Sequence, residues 1–290
     1  MSCGAFRGCA VCLADKLRSR AGLRLAAVFV GLCLAVLPAC LSAMAGSVPF
    51  GVDAAAYLVK TDGEILWARD ASRRLPPASL TKLMTVLLAL RQVGVDEVVT
   101  VGKRAAAETG SRLGLREGEE VYAGFLVAAA LMASANDACL ALAEQVAGSE
   151  SAFVAMMNRA AAGMGLQQTH FTNACGHDSA GHLSSAADLA TLAEAALQQP
   201  LIAALAAEVK LDIDTRNSRR VFHLTNKNEL IGRYSGAVGL KTGFTARAGK
   251  CLVAVADRQE HRVLLVLLNA PDRWWSAVRL LDAAFAGTGR

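Results

Sequence analysis

What most constrains the fold of this chain is the order of its hydrophobic periods: strand-like stretches at both ends and helix-like stretches between them. An alternating segment at 53–60, a turn at Thr61-Asp62-Gly63 and a second alternating segment at 64–69 read as a β-hairpin. Pro76 and Pro77 break the chain before a helical run over 80–93, with Leu83, Met84, Leu87, Leu88 and Leu90 at helical spacing. Residues 122–165 are rich in Ala, Leu and Met at the same period, which predicts several packed helices. A polar loop, 167–182, precedes a helix that opens at Ser184-Ser185. The period then returns to that of strands at 209–213, 220–224, 251–256 and 262–268, and 274–285 closes the chain as a helix. The order predicts an α+β fold, a mainly antiparallel sheet from N- and C-terminal segments with a helical insertion, in one globular unit of two packed lobes.

The formal charge of +5 invites a polyanion-binding reading, but its distribution argues against one. Arg7, Lys16, Arg18, Arg20 and Arg24, opposed only by Asp15, carry most of that excess within the leader. The remainder has no electrostatic footprint for nucleic acid. Residues 1–45 read as an export segment: a basic lead, an apolar run over 25–38, and Ala43-Met44-Ala45 as a small-x-small site with cleavage before Gly46. An uncleaved anchor over 25–45 and lipidation at Cys40 are the two other readings, and either would bring membrane contact through the N-terminus. All three place residues 46–290, the expected catalytic domain, outside the cytoplasm. Cys3, Cys9, Cys12, Cys33 and Cys40 fall in the leader; Cys139, Cys175 and Cys251 read mostly as buried structural thiols, with one disulfide open.

Three short motifs carry chemistry. Ser79-Leu80-Thr81-Lys82 stands where the first helix begins. Ser79 alone would be read as a helix cap. Lys82, three residues on, shares its helical face, can reach the hydroxyl, and would act as a base if burial lowered its pKa. Ser134-Ala135-Asn136 lies between two helical runs and alone is an ordinary polar turn; Lys241-Thr242-Gly243 alone is a strand end. Together and in this order they resemble the signature of penicillin-binding proteins and class A β-lactamases, the latter typically carrying SDN where this chain has Ser134-Ala135-Asn136.

The stretches 77–85, 134–143 and 239–245 resemble those of the low-molecular-mass penicillin-binding proteins, the D-alanyl-D-alanine carboxypeptidase family. Gly176-His177-Asp178, Gly181-His182-Leu183-Ser184 and Ala248-Gly249 extend the resemblance, which covers residues 50–287. It implies a β-lactamase/DD-peptidase-like fold with a five-stranded antiparallel sheet flanked by helices and a mainly helical lobe. It also implies a serine-type carboxypeptidase acting on peptidoglycan stem peptides that end in D-Ala-D-Ala, with β-lactams as covalent inhibitors and no cofactor.

Residue by residue, the resemblance makes Ser79 the nucleophile, Lys82 its base and Ser134 the proton relay to the leaving amine. Lys241 would set a positive potential, and Asn136 would bind the substrate backbone and place Lys82. The backbone N–H groups of Ser79 and Phe244 would form an oxyanion hole, and the strand through Lys241, Thr242, Gly243, Phe244 and Thr245 would pair with the peptide. Thr242, Thr245 and Arg273 would take the terminal carboxylate.

Cys175 stands where relatives often carry histidine, and Lys250 where an aromatic or small polar residue is common. Many relatives continue into a β-rich domain and an amphipathic anchor helix; this sequence runs to Arg290, and endopeptidase action on cross-links stays open. A class A β-lactamase would need a glutamate loop, and 167–182 holds no glutamate. A non-catalytic sensor would need a signalling segment. The histidines lack metal-ligand spacing; His177 and His182, five apart, read as parts of a solvated loop.

Overall fold

The computed structural model describes residue 48 and residues 50–217 and 220–288. The export segment and its three readings lie outside them. Strands β1 (Ala56–Thr61) and β2 (Glu64–Arg69) form the expected hairpin. Asp62 and Gly63 turn it with φ of 51° and 90°, the positive values that a two-residue hairpin loop demands and that an Asp-Gly pair tolerates. A 3-10 turn, Ala78–Thr81, then leads into helix α1 (Lys82–Gln92). The helix predicted from residue 80 thus starts tighter than an α-helix, with the Leu80 N–H bonded to the Pro77 carbonyl at 3.2 Å.

Strand β3 (Val98–Thr100), the single turn α2 (Lys103–Ala106) and strand β4 (Glu120–Tyr122) frame the helical lobe. Its centre is α3 (Ala123–Met132), buried at every position because Ala, Leu, Val, Phe and Met leave no polar face. Helices α4 (Asn136–Ala147) and α5 (Glu150–Gly163) follow, then α6 (Ala186–Leu197), whose N-cap Ser185 accepts the Asp188 N–H. Pro200 opens α7 (Pro200–Ala207), which the sequence pattern had not separated from its surroundings.

Strands β5 (Lys210–Asp214) and β6 (Val221–Thr225) pair only with each other. They form a one-faced ribbon, burying Ile213, Phe222 and Leu224 while Val221, His223 and Thr225 stay in solvent. Phe222 packs on Phe125 of α3, ring centroids 5.3 Å apart, so this ribbon closes the helical lobe rather than joining the main sheet.

The main sheet is completed by β7 (Ala237–Thr245), β8 (Gly249–Arg258) and β9 (His261–Leu268), in the antiparallel order β2-β1-β9-β8-β7. Central strands β8 and β9 are buried on both faces, which explains their near-continuous apolar sequence. Helix α8 (Arg273–Thr288) covers one face with Ala277, Leu280, Leu281 and Ala284 against Val59, Leu252, Ala254, Leu265 and Leu267. Each such leucine contributes about 2 kcal/mol by burial. Helix α6 packs on the sheet at β9 and β1. The sheet ends at β7, and β7 faces the 3-10 turn that carries Ser79.

Candidate active site

The turn bearing Ser79 is held in an uncommon conformation: Ala78 has φ of 49°. Three contacts hold it there. The Thr81 hydroxyl donates to the Ala78 carbonyl at 2.8 Å. Gly243 of β7 lies so close that a β-carbon on it would meet Pro77 O at 3.1 Å and Ser79 N at 3.3 Å. Gly176, with φ of 88°, lies closer still, where a β-carbon would stand 2.1 Å from Ala78 O. No side-chain cap is made at this turn or at the start of α1, so Ser79 is not the helix cap its position alone would suggest.

Lys82 is completely buried on the same face. Its Nζ lies 3.1 Å from Ser79 Oγ, 2.7 Å from Asn136 Oδ1 and 2.6 Å from the Cys175 carbonyl. A neutral amine has two hydrogens and one lone pair. With the hydrogens given to Asn136 and Cys175, the lone pair faces Ser79. Burial above all, then repulsion from Lys227, lowers the Lys82 pKa to about 7, against the opposing attraction of Glu108 and Asp137. A base that is half neutral near pH 7 is suited to take a hydroxyl proton.

Asn136 is fixed from both sides of its amide, since Nδ2 donates to the Thr109 carbonyl at 2.6 Å. Its neighbour Asp137 accepts the N–H groups of Leu113, Gly114 and Leu115, which docks loop 109–115 onto the start of α4. Ser134, buried with φ of 58°, sits in the bend between α3 and α4. Among the described residues no hydrogen bond joins it to Ser79, Lys82 or Lys241.

Lys241 is buried in β7 and donates to the Thr242 carbonyl at 3.0 Å. Burial, with Lys82, Lys227 and Arg273 nearby, pushes its pKa well down. Four basic side chains thus converge where β7 meets the turn; burial and their mutual repulsion favour neutral amines at Lys82 and Lys241, a repulsion that an anion bound among them would offset. Arg273 opens α8 and donates through Nη1 to the carbonyls of Gly243 (2.8 Å) and Cys251 (3.2 Å), while its buried Nε finds no partner among the described residues. Burial also lowers its pKa from the ordinary value. Thr242 is buried and Phe244 is 64 % exposed at the rim. The Thr245 hydroxyl donates to Asp178 Oδ1 at 2.6 Å and accepts the Ala248 N–H at 3.0 Å.

The solvated-loop reading needs correcting for His182, while 178–181 are exposed and His177 is half-buried. The loop folds beneath the Ser79 turn, and His182 is only 2 % exposed. Its Nδ1 accepts the Thr172 N–H at 3.0 Å, so Nε2 carries the hydrogen and donates to Thr81 Oγ1 at 2.8 Å. His177 instead pairs with Glu108 at 3.1 Å. Cys139 and Cys175 form a disulfide and Cys251 is a buried free thiol, its pKa raised to about 11 by burial. The motif pattern also missed Lys227, which donates to Ser111 Oγ and stands beside Lys82; a lone lysine in a loop leaves no signal in sequence.

The family described as D-alanyl-D-alanine carboxypeptidase matches residues 43–272. The chain is 35% identical over 240 residues to D-alanyl-D-alanine carboxypeptidase DacF of Bacillus subtilis, covering 80% of this chain and 61% of that protein. It therefore spans less than two thirds of that relative. It is 33% identical over 214 residues to a D-alanyl-D-alanine endopeptidase of Pseudomonas aeruginosa, covering 72% of this chain and 68% of that one. The Streptomyces K15 DD-transpeptidase structure superposes with a TM-score of 0.78 at 26% identity, over 83% of this chain and 100% of that one.

Proposed function

The chain belongs to the D-alanyl-D-alanine carboxypeptidase family, and on that premise we propose that it is a serine-type D-Ala-D-Ala carboxypeptidase acting on peptidoglycan stem peptides through a Ser79 acyl-enzyme. The observation that carries the reading is the Lys82 amine, 3.1 Å from Ser79 Oγ with two acceptors for its hydrogens. Lys82 takes the Ser79 proton as Oγ attacks the carbonyl between the two D-alanines. The tetrahedral oxyanion is received by the N–H groups of Ser79 and Phe244, on the two segments that close approach at Gly243 brings together. Ser134 passes the proton to the departing amine, with Lys241 supplying positive potential once the substrate carboxylate offsets the burial and repulsion that lower its pKa. The peptide lies along β7, with Asn136 on its backbone.

Its terminal carboxylate is met by Thr242 and Arg273, and by Thr245 once that hydroxyl turns its hydrogen from Asp178. Water then hydrolyses the acyl-enzyme. β-Lactams, which carry an acyl bond and a carboxylate in the same relation, acylate Ser79 and stay. The basic, apolar leader supports export to the periplasm or cell envelope, where this substrate lies.

The likeness to an endopeptidase favours one second reading, cleavage of D-Ala cross-links by the same residues. The deciding experiment incubates wild type and Ser79→Ala with a fluorescent penicillin and with a peptide ending in Lys-D-Ala-D-Ala. Label and free D-alanine, both lost in the variant, support the carboxypeptidase. Label without D-alanine moves the reading to cross-link cleavage, and absence of label removes Ser79 as nucleophile.

A further inference from the structure

We propose that the Cys139–Cys175 disulfide is a positioning clamp for Lys82, joining the two segments whose acceptors aim the amine at Ser79. The inference rests on the reading of Lys82 as the base. One acceptor, Asn136 Oδ1, belongs to the first residue of α4; the other is the backbone carbonyl of Cys175 in the 167–182 loop. Cys139 lies one helical turn beyond Asn136, on the same helix. Its Cα stands 5.9 Å from that of Cys175, and the two are 36 residues apart in sequence. The disulfide therefore links the backbone that supplies one acceptor to the backbone that supplies the other. Both cysteines are buried, at 0% and 1% exposure.

The rest of the loop is tied elsewhere. Thr85 of α1 donates to the Ala174 carbonyl at 2.6 Å, and Glu150 of α5 accepts the Ala174 N–H at 3.1 Å. Asn173 Oδ1 holds the loop's own Gly176 and His177 N–H groups. Among the described residues, the disulfide is the tie between this loop and α4; its sulfurs, having no hydrogen, only lie against the Ala174 and Asn136 carbonyls. A small separation of loop from helix would cost Lys82 one acceptor, and its lone pair would turn from Ser79. The same movement would draw Gly176 from the Ala78 carbonyl and loosen the nucleophile's turn. Closing the clamp removes two protons and two electrons from the thiols. A disulfide oxidant accepts them and leaves as a dithiol.

The test compares the full chain in oxidised form, after reduction by a water-soluble phosphine, after reoxidation, and as a Cys139→Ala/Cys175→Ala variant. Mass spectrometry with thiol alkylation scores the bond, and a fluorescent penicillin reports the acylation rate constant as a function of pH. That constant, unlike the labelled amount, is independent of the folded fraction, so it decides even where reduction unfolds part of the sample. The clamp predicts a fall of at least about tenfold on reduction and in the variant, recovered on reoxidation. It also predicts an upward move of the pH midpoint as water reaches Lys82. A disulfide that served stability alone would lower Tm and leave both rate constant and midpoint in place; that result overturns the proposal. A chain whose Ser79 is never labelled in either state overturns the reading beneath it, and the clamp with it.

Discussion

Gly176 lies against the Ala78 carbonyl so closely that a β-carbon on it would stand 2.1 Å from the oxygen. The relationship couples a loop of the helical lobe to the turn that presents Ser79, between residues 98 positions apart in the chain. Both residues have positive φ, 49° at Ala78 and 88° at Gly176.

Gly176→Ala should therefore fail on two counts, the contact and the left-handed backbone. A loss of at least about 2 kcal/mol in unfolding free energy is expected, with acylation of Ser79 slowed in the protein that still folds. Denaturant titration and penicillin labelling would check this. A variant with wild-type values of both would show that the turn does not depend on the glycine.

Acylation should rise with pH through about 7, because Lys82 is a base only when neutral and burial has brought its pKa there. Lys82→Arg keeps the length and charge but cannot lose its proton, so acylation should fall by about 100-fold or more, at every pH. A flat profile in wild type, or an active arginine variant, would assign the base elsewhere.

His182 makes stability depend on acid. Burial first, then His170, His177 and Lys82, against the opposing Asp178, lower its pKa from 6.5 to about 4. Between those values the unfolded chain binds a proton that the folded chain refuses. Stability is therefore present above 6.5 and lost as pH falls toward 4, by on the order of 3 kcal/mol in full. His182→Gln, whose amide can still donate to Thr81, should lack that part of the slope. Urea midpoints from pH 7 to 4.5 measure it, and parallel slopes in the two proteins would contradict the assignment.

Arg273 is expected to act on the substrate carboxylate through the donors that Gly243 and Cys251 leave free. Arg273→Gln should raise KM for a peptide ending in D-Ala-D-Ala by about 10-fold or more, the worth of one charge-assisted hydrogen bond. With the same peptide amidated at its C-terminus the substitution should add no further loss. Equal losses on both peptides would give Arg273 a purely structural role in holding β7 to α8.

The strand–helix–strand order was legible in sequence because hydrophobic period reports which face an element buries, and the hairpin because Asp62-Gly63 suits positive φ. So was the reach of Lys82 to Ser79, since residues three apart share a helical face. Neither period nor motif could show that β5 and β6 leave the main sheet, because a half-buried ribbon has the same alternation wherever it packs. The Cys175 carbonyl behind Lys82, the burial of His182 and the engagement of Thr245 by Asp178 were equally invisible. Each is a hydrogen bond between segments 67 or more residues apart, made by backbone or by side chains that look solvated in isolation. Local sequence singled out Ser79 and Lys82. Only the folding of the 167–182 loop beneath the Ser79 turn decided which groups orient them, because that depends on where distant backbones come to rest.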